Sequence, residues 1–300
     1  MSDLSSKREQ RLSYFILILP AVLFYYAVMA FPTIFSLLLS VSNYNGGKVF
    51  GNPDVGFAGL KSYMSVFRDD YFYLALRNNF YIVLISVFGQ IPLGFILAYI
   101  LSRGLIKGTD FFQTMIYLPC VISPVVIGIL FQTFFLNSNS VVMEITRIFN
   151  PAAEYRMNQN PMMPVLIVTL WMYTGTYVII FLANLQKIDV SIIEATKIDG
   201  ANEMQTLRYV ILPALSGVIV TSAILAISGS LRSFDLIFVM TQGGPARRTN
   251  VLSIYMFDRA FRGAPNYPVA NAISTIMVVI SFILIGVTKV VEKKFGGKEN

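Results

Sequence analysis

Six stretches of this 300-residue chain contain no Asp, Glu, Lys or Arg: Leu12 to Gly47, Asn78 to Ser102, Phe111 to Met143, Met157 to Gln186, Tyr209 to Leu231 and Gly263 to Thr288. The shortest of the six has 23 residues, and the next longest charge-free stretch, Leu236 to Ala246, has only 11. About 20 predominantly apolar residues, rising about 1.5 Å each, cross the hydrocarbon of a bilayer. The pattern therefore predicts an all-α membrane protein with six transmembrane helices, near 14–41, 76–102, 111–136, 162–186, 208–231 and 267–289, within a single transmembrane domain over 1–300. Lys7, Arg8 and Arg11 precede the first run, and Val28-x-Ala30 inside it has the form of a signal-peptide cleavage site. The run continues to Val41, well beyond the h-region of a cleaved leader, so it is expected to remain as a span. Pro20 and Pro32 predict kinks, which membrane helices tolerate.

Between the fourth and fifth runs lies a polar island, Lys187 to Arg208, with a loop expected over 187–207. Ser191-x-x-Glu194 reads as a capping box that starts a short helix. Asp199-Gly200 supplies its stop, Asn202-x-x-Gln205 repeats the start signal in weaker form, and Pro213 interrupts the second helix before the next apolar run. Lys and Arg divide almost evenly between the two sides of the membrane. The segments on the N-terminal side are shorter, though, and both basic tails fall there, which predicts cytoplasmic N- and C-termini and a cytoplasmic island. The opposite segments carry turns at Asn43 to Gly47 and Asn52 to Asp54, a short surface helix over Leu60 to Leu76, and a helix over Leu252 to Phe261 between Gly243-Gly244-Pro245 and Gly263-Ala-Pro265.

Composition agrees with the pattern. Apolar residues make up 55% of the chain and charged residues 13%, against about 25% charged in soluble domains. A net charge of +7 without a basic stripe interleaved with aromatics points to membrane flanks, and no nucleic-acid partner is expected. Cys120 is the only cysteine and there is no histidine, so neither a disulfide framework nor a Cys/His metal set is available. No G-x-x-x-x-G-K-S/T loop and no G-x-S-x-G elbow occur, and Asp69/Asp70 read as solvated loop carboxylates. The chain is thus expected to have no catalytic site, no metal and no cofactor of its own. If such a chain moves a solute uphill, the energy has to come from elsewhere.

Polar residues inside the spans form a second pattern. Thr169, Tyr173, Thr176 and Tyr177 follow i, i+4, i+7, i+8 spacing and share one helix face. Hydroxyl-tipped aromatics on such a face suit sugar rings. Ser222, Ala226, Gly229, Ser230 and Ser233 form a comparable stripe on the fifth helix, where close helix packing is the favoured account. Gln90, Gln132 and Asn184 are further polar residues in or near spans. Arg232 either pairs with Asp235 at i, i+3 or presents its guanidinium to a carboxylate or phosphate.

Two motifs carry a family resemblance. Glu194-Ala195-Thr196, Asp199-Gly200-Ala201 and Ile211-Leu212-Pro213 resemble the EAA loop of permease subunits in binding-protein-dependent ABC importers, with Thr196 in place of the second alanine. Ser233-Phe-Asp-Leu-Ile-Phe-Val-Met-Thr-Gln-Gly-Gly-Pro245, with Thr249 beyond, resembles a segment of the carbohydrate-type permeases, the maltose and glycerol 3-phosphate importer group. The resemblance implies a bacterial or archaeal cell-membrane subunit that forms the path for a sugar or related solute. It also implies a second homologous permease subunit, two cytoplasmic ATPase subunits that bind the ATP, and an extracytoplasmic solute-binding protein. Glu194, Ala195, Asp199, Gly200 and Ala201 would form the ATPase-coupling element, and the path would run between the fourth and fifth helices along Thr169, Tyr173, Thr176, Tyr177, Ser230, Arg232 and Ser233. A non-sugar solute such as glycerol phosphate is an alternative, as is an ion-coupled secondary transporter, which the charge-free spans disfavour.

Overall fold

The computed structural model describes residues 2–48, 51, 55–104, 106–136, 140–149 and 160–295. Among these the one β pairing is the isolated bridge Ser42–Phe57. The helices in order are α1 (Ser2–Tyr25), α2 (Phe31–Ser40), α3 (Lys61–Phe67), α4 (Asp70–Ile85), α5 (Ile91–Ser102), α6 (Thr109–Val121), α7 (Pro124–Phe131) and α8 (Val141–Phe149). After these come α9 (Met162–Leu185), α10 (Val190–Ile198), α11 (Glu203–Thr206), α12 (Leu212–Ala214), α13 (Ser216–Leu231), α14 (Asp235–Thr241), α15 (Leu252–Phe261) and α16 (Tyr267–Phe295). The turn expected at 52–54 lies outside the described residues.

Among the described residues there are four π-helical turns, Tyr26–Ala30, Ser86–Gln90, Gln132–Leu136 and Leu207–Ile211; the third extends α7, and the other three join helices into longer rods. Three of them trace to proline. Pro32, Pro92 and Pro213 each occupy the second position of the helix after a π turn. In a regular helix each ring would strike the carbonyl four residues earlier, that of Val28, Phe88 or Tyr209. All three carbonyls fall inside the preceding π turn, whose wider ring relieves the clash.

Among the described residues four helical stretches are long and apolar enough to cross a membrane: Ser13–Ser40, Asp70–Ser102, Met162–Leu185 and Tyr267–Val290. The runs expected as continuous helices over 111–136 and 208–231 are instead bent pairs. Thr109–Val121 meets Pro124–Phe135 at 93°, and Glu203–Ala214 meets Ser216–Leu231 at 65°, which makes six spans if each pair crosses once. At the first bend Ile122 and Ser123 are extended, because the residue before Pro124 is excluded from the helical region. Ser123 then restarts the helix by accepting a hydrogen bond from Val125 N at 3.3 Å. At the second, Leu215 leaves helical geometry two residues after Pro213. The surface helix expected over 60–76 is also two pieces: α3 ends at Phe67, and Asp69 caps α4 by accepting from Tyr71 N.

The chain forms two compact units, one comprising Met1–Arg68 and Met256–Ile276, the other Asp69–Tyr255 and Met277–Asn300. In the first, α1 and α2 expose large apolar side chains such as Leu17, Phe24 and Leu38 along their length, as a lipid-facing helix does. Ser36 Oγ donates to Asn271 Oδ1 at 2.6 Å, and Ser40 Oγ lies 2.7 Å from Tyr63 Oη. In the second unit α9 is central. Val165, Val168 and Met172 pack with Ile237, Met240 and Ile254, while Val178, Phe181 and Leu185 pack with Ala98, Ile211 and Leu215. Two glycines set how closely its neighbours approach. A Cβ on Gly94 would lie 2.6 Å from Tyr177 Cβ, and one on Gly175 would lie 2.5 Å from Ile116 O, so α5 and α6 cross α9 at near backbone contact.

Candidate functional site

A cavity of about 490 Å³ opens in the second unit, bounded by α9, α13, the π turn Ser86–Gln90 and the start of α14. Thr169, Tyr173, Thr176, Tyr177, Ser230, Arg232 and Ser233 all line it, so the two helical faces picked out by spacing meet around one space. Sequence reasoning assigned no wall position to Ser86, Gln90, Phe234 and Asp235, which also contribute. Gln90 stood out only as a polar residue within a span, and Ser86 carried no signal.

Gln90 Nε2 donates to Thr169 O at 2.8 Å and fixes one side of the wall. Ser230 Oγ donates to Ala226 O at 2.7 Å and lies 3.0 Å from Ser86 Oγ, joining α13 to the π turn. The Thr169 hydroxyl is enclosed and has no hydrogen-bond partner among the described residues, a condition that buried hydroxyls rarely tolerate without a role. Arg232 donates Nε to Ser228 O at 3.2 Å, and no ion pair joins it to Asp235 among the described residues. The i, i+3 pairing fails for a geometric reason. Arg232 ends α13, Asp235 begins α14, and Phe234 between them has left the helical region with φ −133°. The wall thus carries one cation and one carboxylate, with hydroxyls, Tyr173, Tyr177 and Phe234 around them.

The Gly-Gly-Pro segment forms a knot behind this wall. Gln242 and Gly243 both have positive φ, and a Cβ on Gly243 would lie 2.5 Å from Asn250 Oδ1. The fully buried Thr249 hydroxyl sits 2.7 Å from Thr241 Oγ1 and 2.9 Å from Gly244 O. Two buried amides on α4, which no sequence pattern flagged, hold the knot in place. Asn78 Nδ2 donates to Arg248 O and Asn250 O, each at 2.8 Å. Asn79 Nδ2 donates to Ser230 O at 3.0 Å, and its Oδ1 accepts from Leu252 N at 2.7 Å. Asp69, expected to be merely solvated, also accepts from Tyr255 Oη at 2.6 Å.

The polar island folds as helix, turn, helix. Its first helix α10 is capped by Asp189, which accepts from Ser191 N at 2.9 Å, so the expected Ser191/Glu194 capping box is not the cap. That hydrogen bond holds the Asp189 carboxyl below the usual carboxylate range. The reciprocal capping box is the one expected to be weaker: Asn202 N donates to Gln205 Oε1 at 2.8 Å, and Gln205 N to Asn202 Oδ1 at 2.9 Å. Gly200 has φ +78° and closes α10, with Ala201 N donating to Thr196 O at 2.9 Å. Thr196 Oγ1 lies 3.1 Å from Thr206 Oγ1 and ties the two helices together. Glu194, Ala195, Asp199 and Gly200 are exposed and Ala201 is half-buried; no residue of α10 is buried, and Ile198 and Met204 are strongly exposed. Among the described residues no cluster of His, Cys, Asp or Glu is placed to hold a metal ion.

Among known proteins, residues 90–297 match the family described as binding-protein-dependent transport system inner membrane component. The lactose transport system permease protein LacF of Rhizobium radiobacter is 31% identical over 285 residues, covering 93% of this chain and 94% of that protein. The multiple sugar-binding transport system permease protein MsmF of Streptococcus mutans serotype c is 32% identical over 283 residues, covering 94% and 92%. A chain from the crystal structure of a bacterial ABC transporter involved in the import of the acidic polysaccharide alginate superposes with a TM-score of 0.80 at 21% identity, over 98% of this chain and 99% of that one.

Proposed function

We propose, from the premise that this chain belongs to the binding-protein-dependent transport system inner membrane component family, that it is the membrane-spanning subunit of a sugar ABC importer and that its path runs through the α9/α13 cavity. The observation that carries the reading is the convergence of Thr169, Tyr173, Tyr177, Ser230 and their neighbours on one space of about 490 Å³. Tyrosine faces with hydroxyl tips offer apolar area to a sugar ring and hydrogen bonds to its rim. Relatives named for lactose and for multiple sugars support the same solute class. The partners are a second homologous permease, two ATPase subunits on the cytoplasmic side and an external solute-binding protein, with both termini of this chain cytoplasmic. The ATPases bind the nucleotide, and this chain supplies no cofactor site. Glu194, Ala195, Asp199, Gly200 and Ala201 form the element on which an ATPase docks, since small exposed residues admit close approach and a carboxylate can meet a basic partner.

Arg232 and Asp235 favour a second reading of the cargo. With the two unpaired, the wall offers a guanidinium to a sugar acid or a phosphorylated polyol as readily as it offers hydroxyls to a neutral sugar. Thermal stabilisation of the cognate binding protein by a solute panel identifies the cargo. Uptake of that solute into proteoliposomes holding the whole importer then tests the path. Tyr173→Ala and Thr169→Val are expected to lower uptake while the complex still copurifies with its ATPases, and unchanged uptake in both would move the path elsewhere. Arg232→Gln is expected to abolish uptake of an acidic solute and leave a neutral one nearly unaffected.

A further inference from the structure

Glu203 is the first residue of α11, immediately after the Asn202 cap, and its carboxylate turns to the end of α5. Oε2 accepts from Tyr99 Oη at 2.8 Å and from an Arg103 terminal nitrogen at 3.2 Å. Arg103 lies 5.3 Å above the Tyr99 ring and also donates Nε to Tyr99 Oη at 3.3 Å, so the three groups close a triangle. The guanidinium is well enclosed, with 19% of its side chain exposed against 67% for Glu203. Beside this triangle about 270 Å³ of open space separates it from α10, bordered by Glu194 and Lys197. α10 buries no residue; Thr206 is buried and Ile188 and Leu207 pack against the bundle core, and Glu203 adds to these a polar tie to α5.

The other end of the same rod touches the cavity. From Arg103, α5 runs back past Gly94, which sits against Tyr177, to Gln90, which holds Thr169 O. Both Tyr177 and Thr169 line the cavity. We propose that Glu203, through Arg103 and Tyr99, is a latch that joins the coupling island to α5, and that α5 delivers the island's displacement to the cavity wall at Tyr177 and Thr169. The α10/α11 tie between Thr196 and Thr206 makes the island move as one body, so force applied at α10 reaches the latch. This inference rests on the coupling reading above and adds a second, non-covalent route beside the covalent one through α12 and α13. Glu203, Arg103 and Tyr99 are positioning residues. Their contribution to stability is small, because an ion pair whose carboxylate is largely exposed contributes little, and their role is geometric.

The test uses the full importer in proteoliposomes, with the cognate binding protein and the solute it binds. Arg103→Glu and Glu203→Arg singly are expected to lower the maximal uptake rate and solute-stimulated ATP hydrolysis about fivefold to tenfold, within the range of energetic coupling through a packed element. Half-saturation is expected to stay unchanged and the ATPase subunits to copurify fully. The double variant Arg103→Glu/Glu203→Arg is expected to recover most of the rate, since the reversed pair restores the tie. Wild-type rates in both single variants would overturn the latch, and so would losses that the double variant does not recover. Loss of copurifying ATPase in Glu203→Arg would overturn it as well, by making Glu203 a docking contact. Gly200→Leu run in parallel separates the two layers. Wild-type transport in Gly200→Leu sinks the coupling reading itself, whereas abolished transport there with normal latch variants sinks only the latch.

Discussion

Gly175 and Gly229 lie on adjacent helices of the same unit and meet opposite surroundings. A Cβ at Gly175 would press on Ile116 O at 2.5 Å, a backbone atom that cannot rotate away, whereas a Cβ at Gly229 would have nothing within 4 Å. Gly175→Ala is therefore expected to destabilise by about 1–3 kcal/mol, the cost of overpacking. Gly229→Ala is expected to be neutral or to stabilise by about 0.5–1 kcal/mol, because alanine restricts the unfolded chain. Thermal unfolding of the purified subunit checks the pair, and equal midpoints would mean that α6 and α9 are not in backbone contact. At this scale the cavity wall was legible where it followed helical spacing, as with Thr169, Tyr173, Thr176 and Tyr177. Ser86 gives no signal because a single polar residue in an apolar run looks the same whether it faces a cavity, a neighbouring carbonyl or a helix crossing, and Asn78-Asn79, directly after Arg77, look like the polar edge of a run. Of the two readings open for Arg232, the i, i+3 pair with Asp235 relies on a spacing that holds only along one unbroken helix, and Phe234 breaks it.

Between residues and bundle stand the helices, whose existence followed from the charge-free runs while their interruptions and starts depended on local competition. Asp189 and Ser191 both offer an acceptor near the start of α10, and the aspartate two residues earlier captured the Ser191 amide. Asn202 and Gln205 had no such competitor and closed the full box. Asn202→Ala is accordingly expected to destabilise the island's second helix by about 1 kcal/mol, and Ser191→Ala to have little effect on the first. Hydrogen exchange in peptides covering 190–206, corrected for intrinsic rate, distinguishes these, and a larger effect from Ser191→Ala would return the cap to Ser191. The sign of the pH dependence comes from Asp189. Its carboxyl is held below the ordinary range by the Ser191 amide, so the cap's contribution is present above the unfolded carboxylate pKa and is lost as pH falls through the lower folded value. Protection of α10 should fall on acidification in the parent and not in Asp189→Ala. The π turns were legible only in part: Pro32, Pro92 and Pro213 predict a disturbance four residues back, but π geometry rather than a break is chosen by the packing around each rod.

At the scale of the whole molecule the two bent pairs decide the topology. The first has 13 residues in α6 and a comparable length in α7 with its π turn, about 20 Å per arm. With a 93° bend shared equally, each arm tilts near 45°, and the pair rises about 28 Å, close to the roughly 30 Å of hydrocarbon. The second pair, bent 65° with a longer second arm, rises about 35 Å on the same reckoning. Both are long enough to cross despite their bends, which favours six spans over four. The alternatives differ at defined positions. If both pairs cross, a label at α8 is external and one at the island is cytoplasmic, with both termini cytoplasmic. If both pairs instead re-enter the side they left, the termini still share a side, but α8 becomes cytoplasmic and the island external, where no cytoplasmic ATPase could reach it. If only one crosses, the termini fall on opposite sides. Cys120 is the only cysteine, so a Cys120→Ser background carrying Thr146→Cys or Lys197→Cys gives single sites on exposed positions. Thr146→Cys is expected to react with a membrane-impermeant maleimide on intact cells, and Lys197→Cys only after permeabilisation. The reverse pattern would leave the helices as described and overturn the proposed ATPase-docking role of the island, because the same residues would then lie on the external side.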